Sequence, residues 1–522
     1  MTTESQTNRY FHLARFTLEA ETALSIGTGS ADGVFDTALV RDANGLPAIP
    51  GTSLAGVLRH LFQSATDETR TKTLFGHEEE KKHADGQVSR LQVAWGCILN
   101  AQAVPVEGLV LGSEALALAA DPILGPLLAQ RETPLIRNRV RIGHRGAAAD
   151  KAKFDRAVLP AGHRFACELS LLDPDEKPAD WLLLLDLLAD PRLRLGGATR
   201  AGLGRMRLVA LSTASLDLNG TEGAKRLATV ETGIGDDTAS LSPYDIGADD
   251  GPLPHDWVRL DLHLKARDYW RIGQGSESIR ADRPRGREDK QSDALPVLEP
   301  QVAWPSPSDP GPSQAELKLR LPLAPGSAIK GALSHRADYY ANCGEPEDSP
   351  CWADNHRDGL DDWDGPADRD DRSDRRHRAI QALFGFSKER LDDEESTGYK
   401  RESGLAGRVF IDDVHIDVSI AQVGKLMHNA IDRFTGGVRD RLLFDEDLLW
   451  RTPLRVRILV NLRADRPERQ ADLDKGLAAL RLALLDLAEG RLGLGAGSGH
   501  GNGYFEAAGP VDLDGLARGE IQ

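Results

Sequence analysis

The chain has 522 residues, 40% of them hydrophobic and 28% charged, with a formal net charge of −17 and four cysteines. That length exceeds one ordinary core, so two domains are expected, and so few cysteines exclude a disulfide scaffold and suit a reducing, cytoplasmic setting. The acid excess excludes a protein that coats nucleic acid through its overall field.

In chain order, the opening MTTESQTNRY lacks the apolar run of a signal peptide. Phe16, Leu18, Ala20, Leu24 and Ile26 then alternate with mostly polar residues, the period of a half-buried strand, and lead into Gly27-Thr28-Gly29. These glycines mark a turn where backbone can approach a ligand. LPAIPGTSLAGVLRHL follows, with Thr52 and Ser53 read as N-cap hydroxyls of a helix whose apolar face is Leu54, Val57, Leu58 and Leu61. A helix start offers unpaired N–H groups to a phosphate, and Arg59 stands nearby. Leu74-Phe75-Gly76 comes next. The greasiest run, 181–189, is too short to span a membrane and carries Asp186, so no membrane partner is expected. It reads as a helix feeding the glycine loop LGGATRAGLGRMRL, which holds Arg200, Gly202 and Gly204.

Each of these signals returns in the same order. Leu262, Leu264, Ala266, Trp270 and Ile272 precede Gly273-Gln274-Gly275 at an offset of 246. LPLAPGSAIKGALSHR repeats the helix start at an offset of 275, with Ser327 as the hydroxyl and Lys330 as the cation. Leu383-Phe384-Gly385 follows at 309, then LALLDLAEG, closed by Gly490 as a helix C-cap. The last echo is LGAGSGHGNGYFEA, in which Gly501 and Gly503 match Gly202 and Gly204 at 299 and His500 is the polar side chain. Echoes in a fixed order are the signature of a duplicated unit. The expected division is a first module over 1–212, a polar linker over 213–254 and a second module over 255–522, with insertions near 276–316 and 341–400. The element order predicts an α+β fold, with antiparallel sheets carrying helices on one face. The glycine loops follow a helix and lack Gly-Lys-Ser/Thr, which argues against a nucleotide cofactor. They suit either a polynucleotide backbone or tight packing.

Cys343 and Cys351, with His335, His356 and His377 near them in sequence, are a candidate zinc set, although Cys-x7-Cys is not a usual knuckle spacing. The acidic stretch 354–374 reads as an exposed insertion.

The ensemble LSIGTGSADGVFDTALVRDANGLPAIPGTSLAGVLRHL, LFG and LGGATRAGLGRMRL resembles the RAMP superfamily of CRISPR-associated proteins, in particular the repeating backbone subunits of type III effector complexes. The likeness covers 10–210 and, more loosely, 255–510, where NAIDRFTGGVRDRLLFDED resembles the segment those subunits carry before their last helix. It implies tandem ferredoxin-like (RRM-type) modules with inserted thumb hairpins, placed here near 139–156 and 433–445. It further implies a guide crRNA, complementary target RNA and other subunits of the type III complex as partners. The activity it implies is a metal-dependent endoribonuclease, using Mg or Mn, that cuts target RNA at six-nucleotide intervals within the guide-loaded complex. By position in GVFDTALVRD, the catalytic and metal-holding acid is Asp36. In the second module SDALPVLEP resembles FDTALVRDA and points to Asp293, with Asp282 and Asp289 as alternatives. The first module is expected to be the more active. A non-catalytic scaffold subunit and a guide-processing endonuclease with a histidine acid/base site are the alternative functions, and no histidine pair recurs in both modules to favour the latter.

Overall fold

The computed structural model describes residues 9–29, 38–78, 86–142, 148–230, 233–235, 241–245, 251, 253–273, 275–279, 292–305, 313–343, 376–387, 404–419 and 422–517. Contacts divide the chain into two compact units. One comprises Met1–Thr199, Leu203–Pro252 and Pro300–Leu319, and the other Arg200–Gly202, Leu253–Glu299 and Arg320–Gln522.

In the first unit the alternating run makes strand β1 (Tyr10–Ala20), and helix α1 (Gly51–Ala65) follows the proline-glycine signal. Among the elements that follow are strand β2 (Leu91–Val93), a hairpin of β3 (Ile136–Ile142) and β4 (Ala148–Ala157), strand β5 (Arg164–Asp173), helix α2 (Ala179–Leu187) and strand β6 (Met206–Asp217). The sheet runs β2-β5-β1-β6, antiparallel throughout. Phe16, Leu18 and Ala20 share a core with Leu54, Leu58 and Phe62 of α1 and Trp181, Leu184 and Leu185 of α2. Alternation turns Arg15 and Glu19 to the opposite face, where Arg15 pairs with Glu168 at 2.9 Å and Glu19 takes Arg164 at 2.8 Å and Arg207 at 3.0 Å.

The second unit repeats this plan. Strand β7 (Trp257–Ala266), helices α3 (Gly326–Asn342) and α4 (Arg378–Phe384), strand β8 (Val409–Ile411), a hairpin of β9 (Val423–Ile431) and β10 (Val438–Trp450), strand β11 (Pro453–Asn461), helix α5 (Gln470–Ala488) and strand β12 (Phe505–Ala507) give the sheet β8-β11-β7-β12. Leu260, Leu262 and Leu264 point into a core with Leu477, Leu480 and Leu484 of α5. Both sheets therefore have the ferredoxin-like order, with the first strand between the third and the fourth.

The stretch 213–254 departs from a free polar linker. β6 extends to Asp217, Ser242–Pro243 adds to its edge, and Leu241 is buried with Leu13, Ala214 and Leu216. Tyr244 donates its hydroxyl proton to Asp186 at 2.8 Å. Composition hides this because a few apolar residues, Ala214, Leu216 and Leu241, carry the burial.

One buried group makes the first unit acid-sensitive. His163 is fully buried, neither ring nitrogen has a hydrogen-bond partner among the described residues, and burial pushes it from 6.5 down to about 3. A depressed folded value means the unfolded chain takes up a proton that the folded chain refuses. Stability is thus intact above pH 6.5 and falls as pH drops toward 3, by about 1.4 kcal/mol per unit. Replacing His163 with leucine should shrink the unfolding free-energy difference between pH 7 and pH 5 by about 2 kcal/mol, read from the first unit's denaturant transition. An unchanged pH dependence would assign the acid sensitivity elsewhere.

Candidate nucleic-acid interface

The two helix starts are built differently from the sequence expectation. α1 begins at Gly51 with Pro50 as N-cap and α3 at Gly326 with Pro325, so the N-cap residue supplies no side-chain cap in either. Thr52, Ser53 and Ser327 lie inside the first turn. The proline already has extended N-cap geometry, and the glycine must come first because a Cβ would run into a strand carbonyl, of Val93 in one unit and Ile411 in the other. Gly326 N donates to the Asp413 carboxylate at 2.7 Å. Both flanking cations have backbone partners: Arg59 Nη1 donates to Gly76 O at 2.8 Å, and Lys330 Nζ to Val409 O at 3.1 Å.

The glycine loops are sealed alike. Leu195 N donates to Gly204 O and Leu494 N to Gly503 O, both at 2.8 Å. Gly204 and Gly503 have φ of +75° and +79°, and a Cβ would strike the carbonyl of Leu195 or Leu494. Those glycines serve close packing. Arg200 and Gly202 belong by contacts to the second unit, where Arg200 Nε donates to Gly407 O at 2.6 Å and a Cβ on Gly202 would meet Asp413. His500 and Gly501 are exposed.

The glycine turns open loops that return to the sheet by one shared bond. Gly27 and Gly29 are exposed, Gly273 O accepts from Arg271 Nη1 at 2.6 Å, and Gly275 N donates to Leu295 O at 2.8 Å. Val40 N donates to Ile26 O at 2.9 Å, and Val297 N to Ile272 O at 3.1 Å. The offset from Val40 to Val297 is 257, which is also the offset from Asp36 to Asp293. Asp36, Asp282 and Asp289 lie outside the described residues.

Each unit also carries an inserted two-stranded hairpin. Leu24 bridges Leu159 in the first as Trp270 pairs with Leu449 in the second, which fixes the correspondence of β4 and β10 at an offset of 290. Arg139 faces Phe154, and His428 faces Phe444. The register slips between Val140 and Ile142 in one hairpin and between Asn429 and Ile431 in the other, so both are irregular at the same rung. Phe154 is 55% exposed and Phe444 47%, while Phe434 at the second tip is 99% exposed. The second hairpin starts at Val423, well before the expected 433, because its first strand lacks the basic pattern that marks the first.

At the base of the second hairpin lies a polar cluster. Asp293 N donates to Asp445 Oδ1 at 2.9 Å, and Asp445 N returns a bond to Asp293 Oδ2 at 3.2 Å. Lys425 pairs with Asp445 Oδ2 at 2.6 Å. Glu446 joins Arg271 at 2.9 Å to His428 at 2.8 Å, and the imidazole stacks on Phe444 with ring centroids 4.8 Å apart. Asp447 accepts from Ser278 Oγ at 2.6 Å and Ser292 Oγ at 2.7 Å.

A family model for the RAMP superfamily matches residues 17–207 and 263–506. The chain belongs to the RAMP superfamily. Among curated proteins none matches the chain. Among solved structures it is similar to a chain of the "Cryo-EM structure of the Type III-B Cmr-beta bound to cognate target RNA", at 12% identity and a TM-score of 0.27, over 40% of this chain and 62% of that one. It therefore spans less than two thirds of that relative's length.

Within the second RAMP module, Asp293 is exposed and has a second carboxylate beside it. That donor set fits a hard divalent ion, which takes one or two carboxylates and completes its shell with water and phosphate oxygens. The candidate zinc set does not assemble among the described residues, where no three His, Cys, Asp or Glu converge. Cys343 is exposed at the end of α3, Cys351 and His356 lie outside the described residues, and His377 is buried, its Nδ1 accepting from Ala379 N at 3.0 Å to cap α4. Sequence reasoning missed Phe154, Phe444, Lys425, Asp445 and Asp447. The repeated Phe-Asp at 154–155 and 444–445 is the signal that locates them.

Proposed function

We propose that this RAMP protein is a double-module backbone subunit of a type III CRISPR ribonucleoprotein, which binds a guide crRNA with the other subunits of its complex and cuts complementary target RNA at two places. The observation that carries this reading is the matched pair of hairpins, irregular at the same rung, each with an exposed phenylalanine opposite Arg139 or His428. An aromatic ring on a projecting ribbon stacks on a base that has left its neighbours, and cations meet the backbone. Arg137, Arg139, Arg141, Lys153 and Arg156 make the first hairpin locally basic on an acidic chain, so binding depends on shape and place rather than on overall charge.

Asp293 sits at the hairpin's base, where a splayed nucleotide brings its 2′-hydroxyl toward in-line geometry with the neighbouring phosphate. Asp36 in the first module and Asp293, with Asp445 beside it, in the second are the residues to hold Mg²⁺ or Mn²⁺. Bound there, the ion neutralises charge developing on the phosphate. The Lys425–Asp445 pair favours a second reading for the second module alone, as scaffold, because Lys425 already neutralises one of its carboxylates.

Phe154→Ala and Phe444→Ala test the hairpins. In the guide-loaded complex each should weaken target RNA binding about tenfold, within the 1–3 kcal/mol of one base stack. Each should also abolish the fluorescence increase of a 2-aminopurine placed at one target position. Unchanged fluorescence and affinity in both variants would remove the hairpins from the RNA and sink this reading.

A further inference from the structure

We propose that Asp447 is a positioning residue that fixes the Asp293 carboxylate for chemistry in the second module, a role that rests on the function proposed above. Asp447 is 1% exposed, so its charge is buried. Lys425 is its direct partner in strand register yet pairs with Asp445 instead. The Asp447 carboxylate is satisfied by two hydroxyls, Ser278 Oγ on one oxygen and Ser292 Oγ on the other. Residues distant in sequence are thereby tied to one point on β10.

The main chain completes the clamp. Asp447 N donates to Ala294 O at 2.9 Å, Ala294 N donates to Asp445 O at 3.0 Å, and Ala294 lies parallel to Glu446. Asp293 is thus held from both sides while its carboxylate stays exposed. A buried carboxylate is costly unless hydrogen-bonded, and packing alone does not call for one. The equivalent position in the first module, by the 290 offset, is Ala157, which is fully buried without it. What Asp447 adds is the pair of serine bonds. Displacing a reacting group by about 1 Å costs on the order of a hundredfold in rate.

The test uses the full chain in its guide-loaded complex, with Asp447→Ala, Asp447→Asn and Asp293→Ala compared side by side. Asparagine keeps both bonds, its oxygen accepting from one serine and its amide donating to the other. Asp447→Ala should slow the second-module cut about a hundredfold and leave the first-module cut and target affinity unchanged. Asp447→Asn should stay within about threefold of wild type, since geometry and not charge is what matters. Hydrogen exchange at the Asp293 and Ala294 amides should quicken at least about tenfold in the alanine variant alone, as local opening becomes easier. Equal losses in the alanine and asparagine variants would overturn positioning in favour of a charge role. Unaltered exchange in Asp447→Ala would overturn it whether or not the module cuts. A second cut that survives Asp293→Ala would instead strike the proposed catalytic acid, and the exchange data would still decide the clamp.

Discussion

Asp36→Ala should slow one of the two target-RNA cuts about a hundredfold in the guide-loaded complex, with target affinity almost unchanged. Groups that stabilise charge developing at a reacting phosphate act mainly in the transition state, and removing one typically costs on the order of a hundredfold or more in rate. Asp293→Asn should do the same to the other cut. Asparagine is the better substitution there because it keeps an oxygen to accept from Asp445 N, so loss of charge is separated from loss of the loop's anchor. Chelating divalent metal should stop both cuts. The measurement is a denaturing gel of end-labelled target RNA. An unchanged band pattern in both single variants and in the double variant would leave the chain as scaffold, with cutting done by another subunit.

The largest effect on folding should come from Gly503→Ala. Gly503 has φ +79° and its added methyl would run into the Leu494 carbonyl, while its own N–H donates to Tyr269 O at 2.9 Å and so cannot shift freely. Left-handed backbone costs an alanine about 1–2 kcal/mol. The collision adds strain that takes the total above about 3 kcal/mol. Gly501→Ala is the internal comparison, with φ +90° but open space around it. It should cost only the backbone term, about 1–2 kcal/mol. Calorimetry of the second unit's transition separates the two variants, and equal shifts would show that loop packing is not what demands the glycine.

The duplication was legible because its echoes fall where backbones touch. Gly51 and Gly326 face a strand carbonyl, and Gly204 and Gly503 face a loop carbonyl, so neither pair tolerates a side chain and both keep their motif. Antiparallel sheets with helices followed from the order of the elements, and the ferredoxin-like arrangement from the family resemblance. The hairpins were harder to read, because exposed strands impose little on composition and little recurs at the 290 offset beyond Asp150 and Phe154-Asp155, as Asp440 and Phe444-Asp445. The helix-cap expectation failed at Thr52, Ser53 and Ser327 for a local reason: proline supplies the cap geometry, and glycine pushes the hydroxyls into the first turn. Asp445 and Asp447 escaped notice because their partners, Asp293, Ser278 and Ser292, are about 150 or more residues away, a separation that pattern reading does not cross. The assignment of Pro300–Leu319 to the first unit was hidden in the same way.

The strand order also governs how the chain comes off the ribosome. β1 lies between β5 and β6, with Tyr10 paired to Asp217, and in the second unit Ala266 of β7 pairs with Phe505. In each unit the first strand synthesised takes a central place whose last neighbour is made at the far end. At roughly 5–20 residues per second, β1 waits about 10–40 s for β6. Throughout that interval it presents an unpaired edge beside the apolar face of Phe16, Leu18 and Ala20, the surface that recruits other nascent strands. The same topology that seats each first strand in the middle of its sheet should expose the newborn chain to mispairing once per unit, in the order in which the two copies are translated.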